Sequence, residues 1–195
     1  MSELPIIVWD VDDVLNKLMD SWLKSWNQKN DLNVALMNIK DNPPHEILKI
    51  SKETYFNSLD DFRNSEAGIN VEENSIVKNW FENHGSRYNH MACSARPIHT
   101  MPNQAWWIYH NYGQWIHTVH VAGTGRNKEM DYKNISKADF ISWIDKEVLF
   151  IDDSEENVNA VSETGSETML YPQPWNSSKH SEEEFIAKLN EKLGL

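Results

Sequence analysis

The hydrophobic positions of this chain follow two different rhythms. Near the start, "PIIVW" (residues 5–9) is an unbroken apolar run, as in a buried parallel strand rather than one with a face in water. Beyond it, Leu15, Leu18, Met19, Trp22, Leu23 and Trp26 recur at helical spacing. "NPP" at 42–44 breaks the chain. Residues 45–63 predict short helices in "HEILKI" and "KETYFNSLDDF". "EENSIVKNWFENHG" predicts another, with Ile76, Val77, Trp80 and Phe81 on one face and Gly85 as its stop. Residues 16–86 thus read as helical, with no convincing strand.

After residue 86 strands and helices alternate. "NHMACS" predicts a second strand, "MPNQAWWIYHNYG" a helix and "HTVHVAG" a third strand. "SKADFISWID" predicts a helix whose Ser136 and Asp139 make a capping box. "EVLFID" is a fourth strand, "SEENVNAVSETG" a helix ending at Gly165, and "ETMLY" a fifth strand. "SEEEFIAKLNEKLGL" closes the chain as a helix capped by Ser181 and Glu184. Such alternation predicts an α/β fold, a Rossmann-like three-layer α/β/α parallel sheet with right-handed crossovers. Ligands of such sheets bind beyond the carboxyl ends of the strands.

Composition narrows the function classes. A length of 195 residues suits one domain with a modest elaboration. The net charge of −12 argues against a nucleic-acid polymer as partner, because phosphate backbones want a basic stripe. A single cysteine, Cys93, forms no intrachain disulfide, and no stretch has the length of a membrane span. The N-terminus carries no basic, then apolar, leader pattern, so a cytoplasmic protein is expected. Oligomeric state is not legible.

The chemistry gathers at the predicted strand ends. Strand 1 runs into Asp10, Asp12 and Asp13; strand 2 ends at Ser94, followed by Ala95 and Arg96; strand 4 ends in Asp152 and Asp153. Parallel strands bring these ends to one rim, and acids that close repel unless a cation sits among them. An oxygen-only donor set with room for waters and a phosphate suits Mg²⁺. Arg96 and Arg126 lie on rim loops and are candidates for substrate anions. His90, His99, His110, His117 and His120 show no metal-ligand spacing. Asp13 is a candidate cap for the helix that follows.

In their order, "WDVDDVL", the Ser of "MACSARP", the Lys of "SKADFI" and "LFIDDSEEN" resemble the four motifs of the haloacid dehalogenase (HAD) superfamily, phosphatase kind. The likeness spans residues 6–159. It implies a HAD-like core at 1–15 and 87–195, with 16–86 inserted as a helical cap. It also implies Mg²⁺-dependent hydrolysis of a phosphate monoester. Asp10 would be the nucleophile and Asp12 the general acid and base. Ser94 and Lys137 would hold the phosphoryl group, with Lys128 and Lys133 as alternative lysines. Asp10, the Asp12 carbonyl, Asp152 and Asp153 would hold the metal. Asp12 separates this pattern from the family's dehalogenases, which lack an acid there. Deoxyribonucleotidase-like enzymes share the layout, and since the sequence carries no nucleotide-specific motif a sugar phosphate is an equal alternative as substrate. A catalytically silent binding or assembly protein of the same fold is the alternative of a different class. A lid of this length and the negative charge together favour a small phosphorylated metabolite over phosphoprotein or DNA ends.

Overall fold

The computed structural model of the protein describes residues 5–124 and 135–195. Arg126, Lys128 and Lys133, candidates from the sequence, lie outside the described residues, as does most of the loop after strand 3. Five parallel strands, β1 (Ile6–Trp9), β2 (Asn89–Ser94), β3 (Ile116–Val121), β4 (Val148–Asp152) and β5 (Glu167–Leu170), form one sheet. Its order is β3-β2-β1-β4-β5, so β1 and β4 are central neighbours, Trp9 opposite Ile151. Asp10 continues that ladder through its N–H to the Ile151 carbonyl at 2.8 Å. The two acid-bearing strand ends therefore stand side by side.

Alternation along the strands builds the layers. Ile7, Trp9, Leu149 and Ile151 face one cluster with α4 (Ser75–His84), α5 (Met101–Tyr112) and α8 (Glu182–Leu193), through Trp80, Phe81, Ile108, Tyr112, Phe185 and Leu189. Val8, Cys93, Val148 and Phe150 face the other, with α6 (Lys137–Ser142) and α7 (Glu155–Ser162), through Ile141 and Val161. Helices on both faces of a parallel sheet are the three-layer arrangement expected from the alternating pattern.

The inserted segment divides between two clusters. α1 (Leu18–Asn30), α2 (Lys52–Arg63) and the intervening chain form their own core of Leu18, Met19, Trp22, Leu23, Ile39, Tyr55, Leu59 and Phe62. α3 (Glu66–Ile69) follows. α4 instead joins the sheet's core through Val77, Trp80 and Phe81, although residues 16–86 read as one helical segment. "HEILKI" is not a helix. It forms hydrogen-bonded turns, Leu48 N–H to Pro44 O and Ile50 N–H to His45 O, and Lys49 takes the left-handed φ of 55° that a helix cannot continue through. The helix predicted from Ser136 stops at Ser142 and leaves Trp143 largely exposed.

Candidate active site

Three strand ends and one helix start converge on a cleft of about 700 Å³. Asp10, Asp12, Asp13, Ser94, Ala95, Lys137, Asp152 and Asp153 all line it. Leu18, Met19, Tyr55, Phe56, Leu59 and Arg63, from the inserted helices, form its opposite wall. Among the described residues, the site residues predicted from the sequence are thus brought together, with Arg96 the exception.

Lys137 is the hub. It is the first residue of α6, set there by the Ser136–Asp139 capping box, and it is buried. Its Nζ donates to Asp10 Oδ1 at 2.5 Å and to Asp152 Oδ2 at 2.6 Å. Burial works against its charge, but the carboxylates of Asp10 and Asp152 outweigh that and hold its pKa above the usual lysine range. Asp10, Asp152 and Asp153 each offer an oxygen, all within 4.8 Å of one another. Burial pushes Asp10 up to about 7, with Lys137 opposing and Asp152 and Asp12 adding to the rise. Burial and the neighbouring acids also push Asp153 well above the usual carboxylate range. One ammonium among these buried acids leaves an excess of negative charge. Oxygen donors only, buried and close, are the chemistry that suits a hard divalent ion such as Mg²⁺. The donor set therefore fits Mg²⁺, which Asp10, Asp152 and Asp153 would hold.

Neighbours fix two of these acids. Asn157 Nδ2 donates to both oxygens of Asp152, at 3.2 and 3.1 Å, and the Ser154 N–H donates to Asp152 Oδ1 at 2.8 Å. Trp175 Nε1 donates to Asp153 Oδ2 at 2.7 Å. Sequence reading missed these. Asn157 alone carried a signal, lying five residues beyond Asp152 at the start of a helix. Cys93 is fully buried, and burial pushes its thiol up to about 12.

Asp12 stands apart. Arg96 grips it with Nε at 2.7 Å and Nη2 at 2.5 Å, and Arg63 Nη2 reaches it at 3.0 Å. Burial raises its pKa, but Arg96 and Arg63 prevail and hold it well below the usual range. Arg96 is buried on Asp12 rather than lining the cleft. Asp13 takes a left-handed φ of 63° and accepts the Met19 N–H at 2.7 Å, so it caps the start of α1.

No protein-family model and no curated protein matches the sequence. Solved structures do. A haloacid dehalogenase-like family hydrolase from Streptococcus pneumoniae aligns over 95% of this chain and 98% of its own, at 11% identity and a TM-score of 0.61. The HAD-hydrolase YfnB from Bacillus subtilis, bound to magnesium, aligns over 100% of both chains at 11% identity and a TM-score of 0.60. Protein Tyrosine Kinase A from Mycobacterium tuberculosis aligns over 100% of both chains at 13% identity and a TM-score of 0.68. At such identities the likeness is one of architecture, and together with the parallel sheet and its acid-lined rim it establishes that the chain has the fold of the haloacid dehalogenase superfamily hydrolases.

Proposed function

We propose that the protein hydrolyses a small phosphate monoester through an aspartyl-phosphate on Asp10, with Mg²⁺ in the site. The observation that carries this reading is the Lys137 ammonium bridging Asp10 and Asp152, with Asp153 alongside, at the floor of an open cleft. Buried carboxylates at that density suit a nucleophile and a cation cradle better than a solvated turn. The parent hydrolase fold and the magnesium in one structural neighbour support the choice of reaction and metal.

Bound Mg²⁺ would neutralise charge on the phosphoryl oxygens. The chain's own groups would do the rest. An Asp10 carboxylate oxygen attacks phosphorus as the bond to the leaving oxygen breaks, and that oxygen takes up a proton. Lys137 orients Asp10 and offsets the charge on the phosphoryl group, and Ser94 lies at the β2 end of the same cleft to hold a phosphoryl oxygen. Water then attacks the acyl phosphate, releases inorganic phosphate and restores Asp10. Asp12 is assigned the proton traffic. Held by its arginines it is ionised, the form that accepts a proton from water; donating one to the leaving group requires it to part from them.

The inserted helices wall the cleft and restrict the leaving group to a small metabolite, a nucleotide or a sugar phosphate. Among the described residues no helix is long and apolar enough to cross a membrane. We place the work in the cytoplasm because the lone buried cysteine asks for no oxidising compartment.

The test is phosphate release from p-nitrophenyl phosphate with and without Mg²⁺. The wild type should turn over only with metal, and Asp10→Asn should lose about 10³-fold or more while its circular dichroism is kept. Metal-independent turnover, or wild-type rates from Asp10→Asn, would sink the reading. So would an inert wild type across a panel of phosphometabolites, the outcome a silent binding protein gives.

A further inference from the structure

Both oxygens of Asp12 are fully engaged. Besides Arg96 and Arg63, Gln104 Nε2 and Asn16 Nδ2 donate to Oδ1, at 3.2 and 3.3 Å. The two guanidiniums come from different parts of the fold. Arg63 ends α2 in the inserted helices, and Arg96 follows β2 in the core. They are only 7% and 3% exposed. Arg63 also holds Asp60 at 3.0 Å; among the described residues Arg96 has no ion-pair partner but Asp12.

The cluster also has capacity to spare. Arg63 Nε, a donor, and Gln104 Oε1, an acceptor, are buried without a hydrogen-bond partner. Buried polar atoms are normally satisfied, so the orphan guanidinium donor of Arg63 beside Asp12 marks a place that can take a further acceptor, such as an anionic oxygen.

We propose that Arg63 and Arg96, with Gln104 beside them, form a subsite for a second anionic group of the substrate, a carboxylate or a phosphate remote from the phosphoryl group that is cleaved. Asp12 fills the subsite when it is empty. The inference rests on the hydrolase reading for the reaction, but not for the binding. To reach the reacting oxygen Asp12 must leave both guanidiniums, which strips the buried Arg96 of its anion and leaves Arg63 with Asp60 alone, a strongly unfavourable change for buried cations. An incoming anion of the same fork-accepting shape replaces the Asp12 carboxylate bond for bond. It thereby frees Asp12 only when the right substrate is seated. Esters without a second anion gain nothing from the exchange, so the subsite selects by transition-state stabilisation.

Matched esters test this. The pairs are phosphoglycolate against ethyl phosphate, 3-phosphoglycerate against glycerol 3-phosphate, and propanediol bisphosphate against propyl phosphate. Each pair differs by one anionic group, and the last separates phosphate from carboxylate. Binding to Asp10→Asn protein with Mg²⁺, by calorimetry, reads the subsite without turnover. At least one anion-bearing ester should bind about tenfold tighter or more than its partner. Arg63→Met in the same background should cut that preference to less than about threefold, and Arg63→Lys, which keeps the charge but not the fork, should fall between. Equal binding within all three pairs overturns the subsite, as does a preference that survives Arg63→Met. The first of these results is read on the unaltered arginines, so the test does not depend on the variant folding. Preference without any wild-type turnover would overturn the hydrolase reading and leave the subsite standing; turnover without preference would do the reverse.

Discussion

Asp13 and Asp12 are adjacent, similar in sequence context and different in task. Asp13 turns back to the Met19 N–H, while Asp12 turns to Arg96 and Arg63. Asp152 is fixed by the chain that follows it, because the Ser154 N–H and the Asn157 amide hold its oxygens. Ligand-orienting partners of this kind cost roughly 10–100-fold in metal affinity or activity when lost. We therefore expect Asn157→Ala to raise the Mg²⁺ needed for half-maximal activity by about tenfold, and Asp152→Ala to raise it further. Asp13→Ala should leave it close to wild type. The readout is a Mg²⁺ titration, followed in parallel by the fluorescence of Trp175, whose indole is bonded to Asp153. An Asn157→Ala titration that overlays the wild type would refute the orienting role. Asp10, Asp152 and Ser94 were legible because a strand end announces itself locally. Arg63 was not, since its partner Asp12 lies 51 residues away in sequence and no spacing connects them. Arg96 was legible as a charge but not in its direction, because only the folded chain shows that Asp12 claims it.

Elements were read well where a single periodicity ran without interruption. β1, β4 and α8 follow their patterns, and both predicted capping boxes, at Ser136 and Ser181, are formed. The pattern failed at residues 45–50, where apolar spacing over one turn cannot outvote the left-handed Lys49. It also could not assign α4, since an amphipathic face does not say which core it joins. Another unread feature is the close approach at Gly68 in α3. A Cβ there would lie 1.9 Å from the Phe62 carbonyl oxygen and 2.9 Å from Arg63 Cα, both backbone atoms that cannot swing aside. Gly68→Ala should lower unfolding stability by about 1–3 kcal/mol, measured by denaturant titration. Because the displaced backbone carries Arg63, the same variant should disturb the Arg63–Asp12 pair. Unchanged stability would show that α3 can move off α2 without strain.

At the scale of the molecule, a cleft lies between a sheet core and a separate helical cluster, and the sheet core holds an imidazole that is itself a packing element. His90 is buried at β2 among Trp9, Trp80, Phe81 and Tyr88. Trp9 Nε1 donates to its Nδ1 at 3.1 Å, and its Nε2 lies 2.9 Å from the Gly85 carbonyl. An acceptor Nδ1 and a donor Nε2 define a neutral ring, joining β1, β2 and the turn after α4. Burial lowers its pKa to about 4, only partly opposed by the bond to Gly85. The unfolded chain takes up a proton near pH 6.5, whereas the folded chain resists until about pH 4. Between those values the unfolded state binds more protons, so stability falls as pH falls. The full contribution of neutral His90 is present above pH 6.5 and is lost progressively towards pH 4. The shift corresponds to roughly 3 kcal/mol across that window. The buried carboxylates Asp10, Asp13 and Asp153, pushed upward, contribute with the opposite sign, so the total profile mixes both. A difference isolates the histidine. Wild-type stability minus that of His90→Gln, measured by denaturant unfolding at fixed ionic strength, should shrink by roughly 3 kcal/mol from pH 7 to pH 4. A difference that stays level with pH would mean that His90 takes its proton in the folded core, and that the Trp9–His90–Gly85 chain does not hold it neutral.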